Sequence, residues 1–131
     1  MTARVGGERG SFTLETALVT ALLLSMLTLV IQVALWQHGQ QVARIAAREA
    51  ARSARVDGGG DQAGRDRATE RLHALGPDVV LDPTVTVTHT AQAVEVRITG
   101  TAPMIFPGLH LPIRAIAAGP LERYRPPGDE P

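Results

Sequence analysis

From Thr16 to Trp36 the chain reads TALVTALLLSMLTLVIQVALW, a run without a charged residue. As an α-helix rising 1.5 Å per residue it is about 30 Å long, the thickness of a bilayer's hydrocarbon core. A soluble chain rarely buries so long a helix without one charge on its outer side. A secretory signal has a shorter apolar region, about 7–15 residues, with a small-residue cleavage site behind it. No A-x-A stands directly behind this run. The segment is therefore expected to be a retained single-pass membrane helix, with Trp36 in the interfacial aromatic belt.

Inside the run Thr16, Thr20, Thr28 and Gln32 recur at multiples of four, with Ala17, Ala21 and Ser25 beside them. A seam of small and polar groups suits helix–helix packing in lipid, and Thr20, Ser25, Thr28 and Gln32 are its candidate contacts. The alternative is that the hydroxyls bond back to carbonyls four residues earlier. Gln32 is harder to satisfy in that way.

Composition narrows the function. The 131 residues suffice for one small domain. Thirteen cations, all arginine, balance thirteen acids, so the chain lacks the basic footprint of a nucleic-acid binder. The absence of lysine excludes a lysine-based catalytic site. The absence of cysteine excludes disulfides, thiolate zinc sites and Cys nucleophiles. His38, His73, His89 and His110 are scattered without metal-ligand spacing, and Ser11, Ser25 and Ser53 stand in no nucleophile-elbow context. Asp57, Asp61 and Asp66 surround a glycine loop but do not follow the EF-hand pattern. Neither an enzyme nor a metal or cofactor site is expected.

The helical pattern continues beyond Trp36. Gln40 to Arg55 is rich in Ala and Arg, both strong helix formers. Arg44, Arg48 and Arg52, with Arg55, form one stripe, and Ala43, Ala47, Ala50 and Ala54 form another. The alanine stripe permits close approach of a partner helix. The arginine stripe is either a solvated face or a contact for acidic subunits or anionic headgroups. Asp57-Gly58-Gly59-Gly60-Asp61 ends the helix, and Ala63 to Leu75 is a second, short helix with Ala68, Leu72 and Leu75 inward. Gly76-Pro77 stops it.

From Thr84 the period becomes two. Val85, Val87 and His89 alternate with threonines, and Val94, Val96 and Ile98 alternate with Glu95 and Arg97, which predicts an antiparallel strand pair joined at Thr90-Ala91-Gln92. Pro107-Gly108 is a turn signal, Pro112 favours an edge position, and the proline-rich stretch after Pro120 reads as a loose tail. The expected fold is α+β: a long transmembrane helix continuing into an amphipathic helix, a short second helix, then a small antiparallel β-sheet. The expected layout is a transmembrane and extended helix over 11–56, followed by a small α+β domain over 57–131 with a loose tail.

Upstream of the span stands Arg9-Gly10-Ser11-Phe12-Thr13-Leu14-Glu15. This G-S-F-T-L-E resembles the class III signal of type IV pilins and pseudopilins. Ala46-Ala47-Arg48-Glu49-Ala50-Ala51-Arg52, just after the span, narrows the likeness to the TadE-like minor pilins of tight-adherence (Flp) pilus systems. The tail also looks similar: a strand, Val94–Thr99, leads into a Pro/Gly/Leu turn and another apolar strand over Met104–Pro112. The resemblance extends over residues 9–118, specific at the front and loose behind. The chain departs from the family at Thr16, where members often carry an aromatic.

The resemblance implies that residues 1–10 are a leader peptide, removed by prepilin peptidase cutting after Gly10, with Ser11 as the new N-terminus and 57–131 an extracytoplasmic domain. It implies that Phe12 and Glu15 act in assembly and that the partners are other pilin and minor pilin subunits. A membrane-edge carboxylate is costly unless paired or at the interface. The free α-amine that cleavage creates on Ser11, mostly charged near neutral pH, is a candidate partner for Glu15 of a neighbouring subunit. The resemblance places the C-terminal domain outside the cytoplasmic membrane, with incorporation into a surface pilus. Charge counting points the other way, since Arg4 and Arg9 precede the span and four arginines follow it. The alternative function is an unprocessed, membrane-anchored accessory or binding protein.

Overall fold

The computed structural model describes residues 7–56 and 59–121, with side chains from residue 10 onward. Arg4, Asp57, Gly58 and the tail from residue 122, with Tyr124, lie outside the described residues, as does the Arg9 side chain. Helix α1 (Gly7–Arg55) runs unbroken through the apolar stretch and the Ala/Arg segment. Helix α2 (Gly60–Leu75) follows, then strands β1 (Leu81–His89), β2 (Ala93–Thr101) and β3 (Pro112–Pro120). The strands form an antiparallel sheet in the order β1-β2-β3. The expected α+β class and element order are present.

Local chemistry accounts for the boundaries. Gly76 closes α2 in a conformation with φ +145°, its N–H donating to Leu72 O at 3.2 Å. The β1–β2 connection is fastened by Thr90, whose N–H donates to Ala93 O at 2.8 Å and whose Oγ1 accepts from Ala93 N at 3.0 Å. That hydroxyl gives the three-residue link the closure its backbone sequence lacks. Prolines fall only on the edge strands, at Pro83 in β1 and at both ends of β3, because a central strand needs every N–H for its two ladders. Asp82, at φ +48°, marks a β-bulge between Leu81 and Thr84. β1 therefore begins three residues before the alternating pattern that predicts it.

The third strand differs in place from the Met104–Pro112 stretch that the tail suggested. Residues 102–111 form a loop, and the strand begins at Pro112. In that loop Leu109 N–H donates to Phe106 O at 3.2 Å, with Pro107 and Gly108 (φ +82°) at the two centre positions, as a type II turn requires.

The core lies between the second half of α1, α2 and one face of the sheet. Val42, Ala43, Ala46, Ala47, Ala50, Ala51 and Ala54 of α1 are buried against Ala68 and Leu72 of α2 and Val87, Val94, Val96, Ile98, Ile113 and Ala115 of the sheet. The alanine stripe thus has its partner inside its own chain. Small side chains let the helices approach closely: a methyl group on Gly64 of α2 would lie 3.1 Å from Ala54 Cβ and 3.4 Å from Ala50 O. Gly64 joins Ala68 and Leu72 in the inward stripe of α2, while Leu75, expected there, is exposed. The core also runs across residue 56, since, among the described residues, seven of its seventeen buried residues come from α1.

Candidate assembly surface on the long helix

The helix presents two kinds of surface along its length. From Gly10 to Ile31 nearly every side chain is exposed, including Phe12, Leu18, Leu22, Leu23, Met26 and Leu27. This part is long and apolar enough to cross a membrane and is compatible with single-pass anchoring. Gly10, Ser11 and Glu15 lie on it in the open, and nothing stands within 4 Å of a Cβ built on Gly10. The peptide between Gly10 and Ser11 is part of α1.

The polar seam resolves into two behaviours. Thr16 Oγ1 donates to Phe12 O at 2.9 Å, Ser25 Oγ to Ala21 O at 2.8 Å and Thr28 Oγ1 to Leu24 O at 2.8 Å. These hydroxyls are satisfied within the helix. Thr20 lies exposed on the same stretch. Gln32 is fully buried and faces its own domain. Its Nε2 donates to Pro103 O at 2.8 Å, and its Oε1 accepts from Ile105 N at 2.7 Å and Phe106 N at 3.1 Å. One amide thereby satisfies three backbone groups of the 102–111 loop.

One turn on, Trp36 Nε1 donates to Pro112 O at 2.9 Å. At the next turn Gly39 passes under the sheet, where an added methyl would strike Ile113 Cδ1 and lie 3.1 Å from Val79 O. Near the end of the helix Arg55 lies across Gly119 and donates from Nε to Ala51 O at 3.2 Å. β3 therefore follows α1 in the same direction, from Trp36 to Arg55. The 102–111 loop occupies the end of the domain from which the bare apolar helix emerges.

Arg44, Arg48 and Arg52 are exposed, and among the described residues none of the three joins an ion pair. Arg55 leaves their stripe for the sheet. Glu49, between Arg48 and Arg52 in sequence, turns the other way: it pairs with Arg71 of α2 and lies 3.4 Å from Arg67 Nη2. Sequence reading missed this clamp, and the signal for it is a lone acid in an Ala/Arg helix. His89 pairs with Asp61, and its Nε2 is 3.4 Å from Ala54 O, tying β1 to both helices. Asp66 accepts from Gln62 Nε2 at 2.8 Å. Among the described residues no three His, Asp or Glu side chains converge as a metal site.

A family model described as TadE-like protein matches residues 10–52. The matched stretch takes in Gly10, Glu15, the apolar run and the Ala46–Arg52 segment, and it stops before α2. No curated protein matches the chain, and no solved structure does.

Proposed function

With a TadE-like segment over residues 10–52 supporting a TadE-like protein of the tight-adherence pilus system, we propose that this chain is a minor pilin or pseudopilin. It is not an enzyme. It is held in the cytoplasmic membrane by the first half of α1, with α2 and the sheet outside. Prepilin peptidase cleaves it after Gly10, and it joins other pilin subunits in pilus assembly.

The observation that carries this reading is a length. Gln32 binds the loop's backbone and so marks where the domain begins to cover α1. Counting back from Gln32 at 1.5 Å per residue, Ser11 is about 32 Å away, close to the ~30 Å of the hydrocarbon core. The membrane segment measured from the domain edge is then 11–31, several residues earlier than the charge-free run suggests. The Gly10–Ser11 bond falls at the opposite membrane surface, where a protease can reach it.

The same ruler gives Glu15 its role. It lies about 26 Å from Gln32, just inside the hydrocarbon boundary. An unpaired carboxylate at that depth costs a few kcal/mol, and the Ser11 amine of a neighbouring subunit, displaced along the axis, removes that cost. Assembly is thereby favoured over the isolated subunit.

Intact mass of the membrane-extracted protein, with and without an active prepilin peptidase, tests the reading. A mature chain beginning at Ser11 only when the peptidase is present supports it. Retention of residues 1–10 in both cases favours the unprocessed accessory protein. Glu15→Ala is expected to abolish or sharply reduce pilus incorporation while membrane insertion is kept. A reporter fused after Pro131 should be active only outside the cytoplasm, and a cytoplasmic signal overturns the orientation.

A further inference from the structure

We propose that the 103–109 loop is a second membrane contact, an apolar tip that dips into the interface of the leaflet beside α1. The proposal rests on the reading of residues 11–31 as a membrane span. Three observations carry it: position, composition and the state of the loop's backbone.

The loop is hydrogen-bonded to Gln32, the residue at which the bare apolar helix enters its own domain. A loop tied at that level to a membrane-crossing helix is held at the bilayer surface. The opposite end of the domain, with the Thr90 turn and the His89–Asp61 pair, lies near Ala54, about 33 Å further along α1. Of the two ends of the sheet, only the loop end meets lipid.

No Asp, Glu or Arg occurs from residue 98 to residue 113. Met104 and Ile105 at the tip are 51% and 48% exposed, with Pro107 and Gly108 next to them. Asp78 is exposed in the segment packed at the Gly39 level, about 10 Å further out than Gln32, clear of the hydrocarbon.

Irregular backbone is expelled from a bilayer because its N–H and C=O groups lose water. Here several of the groups beside the apolar tip already have partners. Ile105 N and Phe106 N donate to Gln32 Oε1, Pro103 O accepts from Gln32 Nε2, Ala102 N donates to Leu111 O at 3.0 Å, and Leu109 N donates to Phe106 O at 3.2 Å. Pro107 carries no N–H. A lone apolar loop on a soluble surface needs no such provision. One sunk into the headgroup and upper acyl region does, and aliphatic side chains are stabilised there by burial.

The contact fixes how the domain sits on the membrane. With α1 alone the domain is free to swing about the helix axis and to tilt. With the loop embedded, one side of α1 is held against the bilayer, and the exposed Arg44, Arg48 and Arg52 stripe keeps a set direction towards neighbouring subunits.

The test uses the full chain in vesicles of phosphatidylcholine and phosphatidylglycerol. The protein has no cysteine, so single-cysteine variants accept one NBD label each. Ile105→Cys and Met104→Cys report on the loop, Ile116→Cys on the exposed sheet face, and Leu22→Cys on the span. The expected result is strong quenching by acyl-chain nitroxide lipids at 104, 105 and 22, with weak quenching by aqueous iodide. At 116 the order is reversed, with several-fold stronger iodide quenching. Iodide quenching at 104 and 105 equal to that at 116, while 22 stays lipid-quenched, overturns the loop contact and leaves the span standing. Protection of 104 and 105 from both quenchers means that protein covers the tip, which also overturns it. Iodide quenching at 22 removes the span, and the loop contact falls with it.

Discussion

Between Gly10 and Ile31 helix α1 leaves Phe12, Leu18, Leu22 and Leu27 uncovered, whereas from Gln32 to Arg55 the same helix buries Val42 and six alanines. The first half carries large aliphatic side chains with no protein around them. The second carries small ones against which α2 and the sheet come close. Side-chain size along α1 thus records what each half meets. Lipid accommodates Leu and Met in any orientation, while an intrachain helix crossing demands Ala and Gly. The boundary is one buried glutamine, whose amide holds the 102–111 loop. It lets one continuous helix run from a bare apolar stretch into the domain core.

The comparison can be broken most severely by cutting the chain. A fragment of residues 56–131 lacks the alanine face that covers the inner surface of the sheet, so far-UV circular dichroism should show no cooperative thermal transition. Residues 32–131 should unfold cooperatively. A cooperative 56–131 fragment would mean that the second half of α1 is packed on the domain without being needed by it.

Next in size are two substitutions at the crossing. Gly39→Val places a side chain against Ile113 Cδ1 and Val79 O and should cost about 1–3 kcal/mol of domain stability. Gln32→Leu leaves Ile105 N, Phe106 N and Pro103 O without their partner and should cost about 1–3 kcal/mol. Chemical denaturation in mild detergent measures both. Gln32→Leu should in addition release the loop, seen as faster amide hydrogen exchange at Ile105 and Phe106.

A smaller effect is expected at the α1–α2 clamp. Glu49 is largely covered, but its arginine partners are about a third exposed, so Glu49→Gln should cost no more than about 1 kcal/mol, less at high salt. Smallest of all is Leu23→Ala in the uncovered half, which should leave domain stability within about 0.5 kcal/mol. A Leu23 effect as large as that of Gly39→Val would erase the distinction between the halves.

Much of this was legible from the residues. The charge-free run, the Gly76 stop, the period-two strands and the Pro107-Gly108 turn are local signals, and each is found in its element, whereas α2 starts at Gly60, inside the expected glycine break. The third strand was displaced because Met104–Pro112 is apolar without alternating, so hydropathy marks it while backbone pairing does not. Leu75 and Gly64 were exchanged on α2 because the inward face depends on how closely α1 approaches, which a helical wheel does not contain. Gln32 is hard to satisfy inside its own helix. Its partners lie more than 70 residues away in the chain, and no spacing rule reaches that far. The same long-range contact marks where the domain begins to cover α1, four residues before the charge-free run ends at Trp36.

The division of α1 at Gln32 is tested most directly by cysteine accessibility along the helix in reconstituted vesicles, using a membrane-impermeant maleimide. Cysteines at Leu22, Leu27, Val30 and Ile31 should stay unlabelled until detergent is added. Those at Gln37, Arg44 and Arg48 should react at once from the domain side. Uniform labelling on both sides of Gln32, or prompt labelling at Leu22 and Leu27, would contradict a lipid-embedded first half.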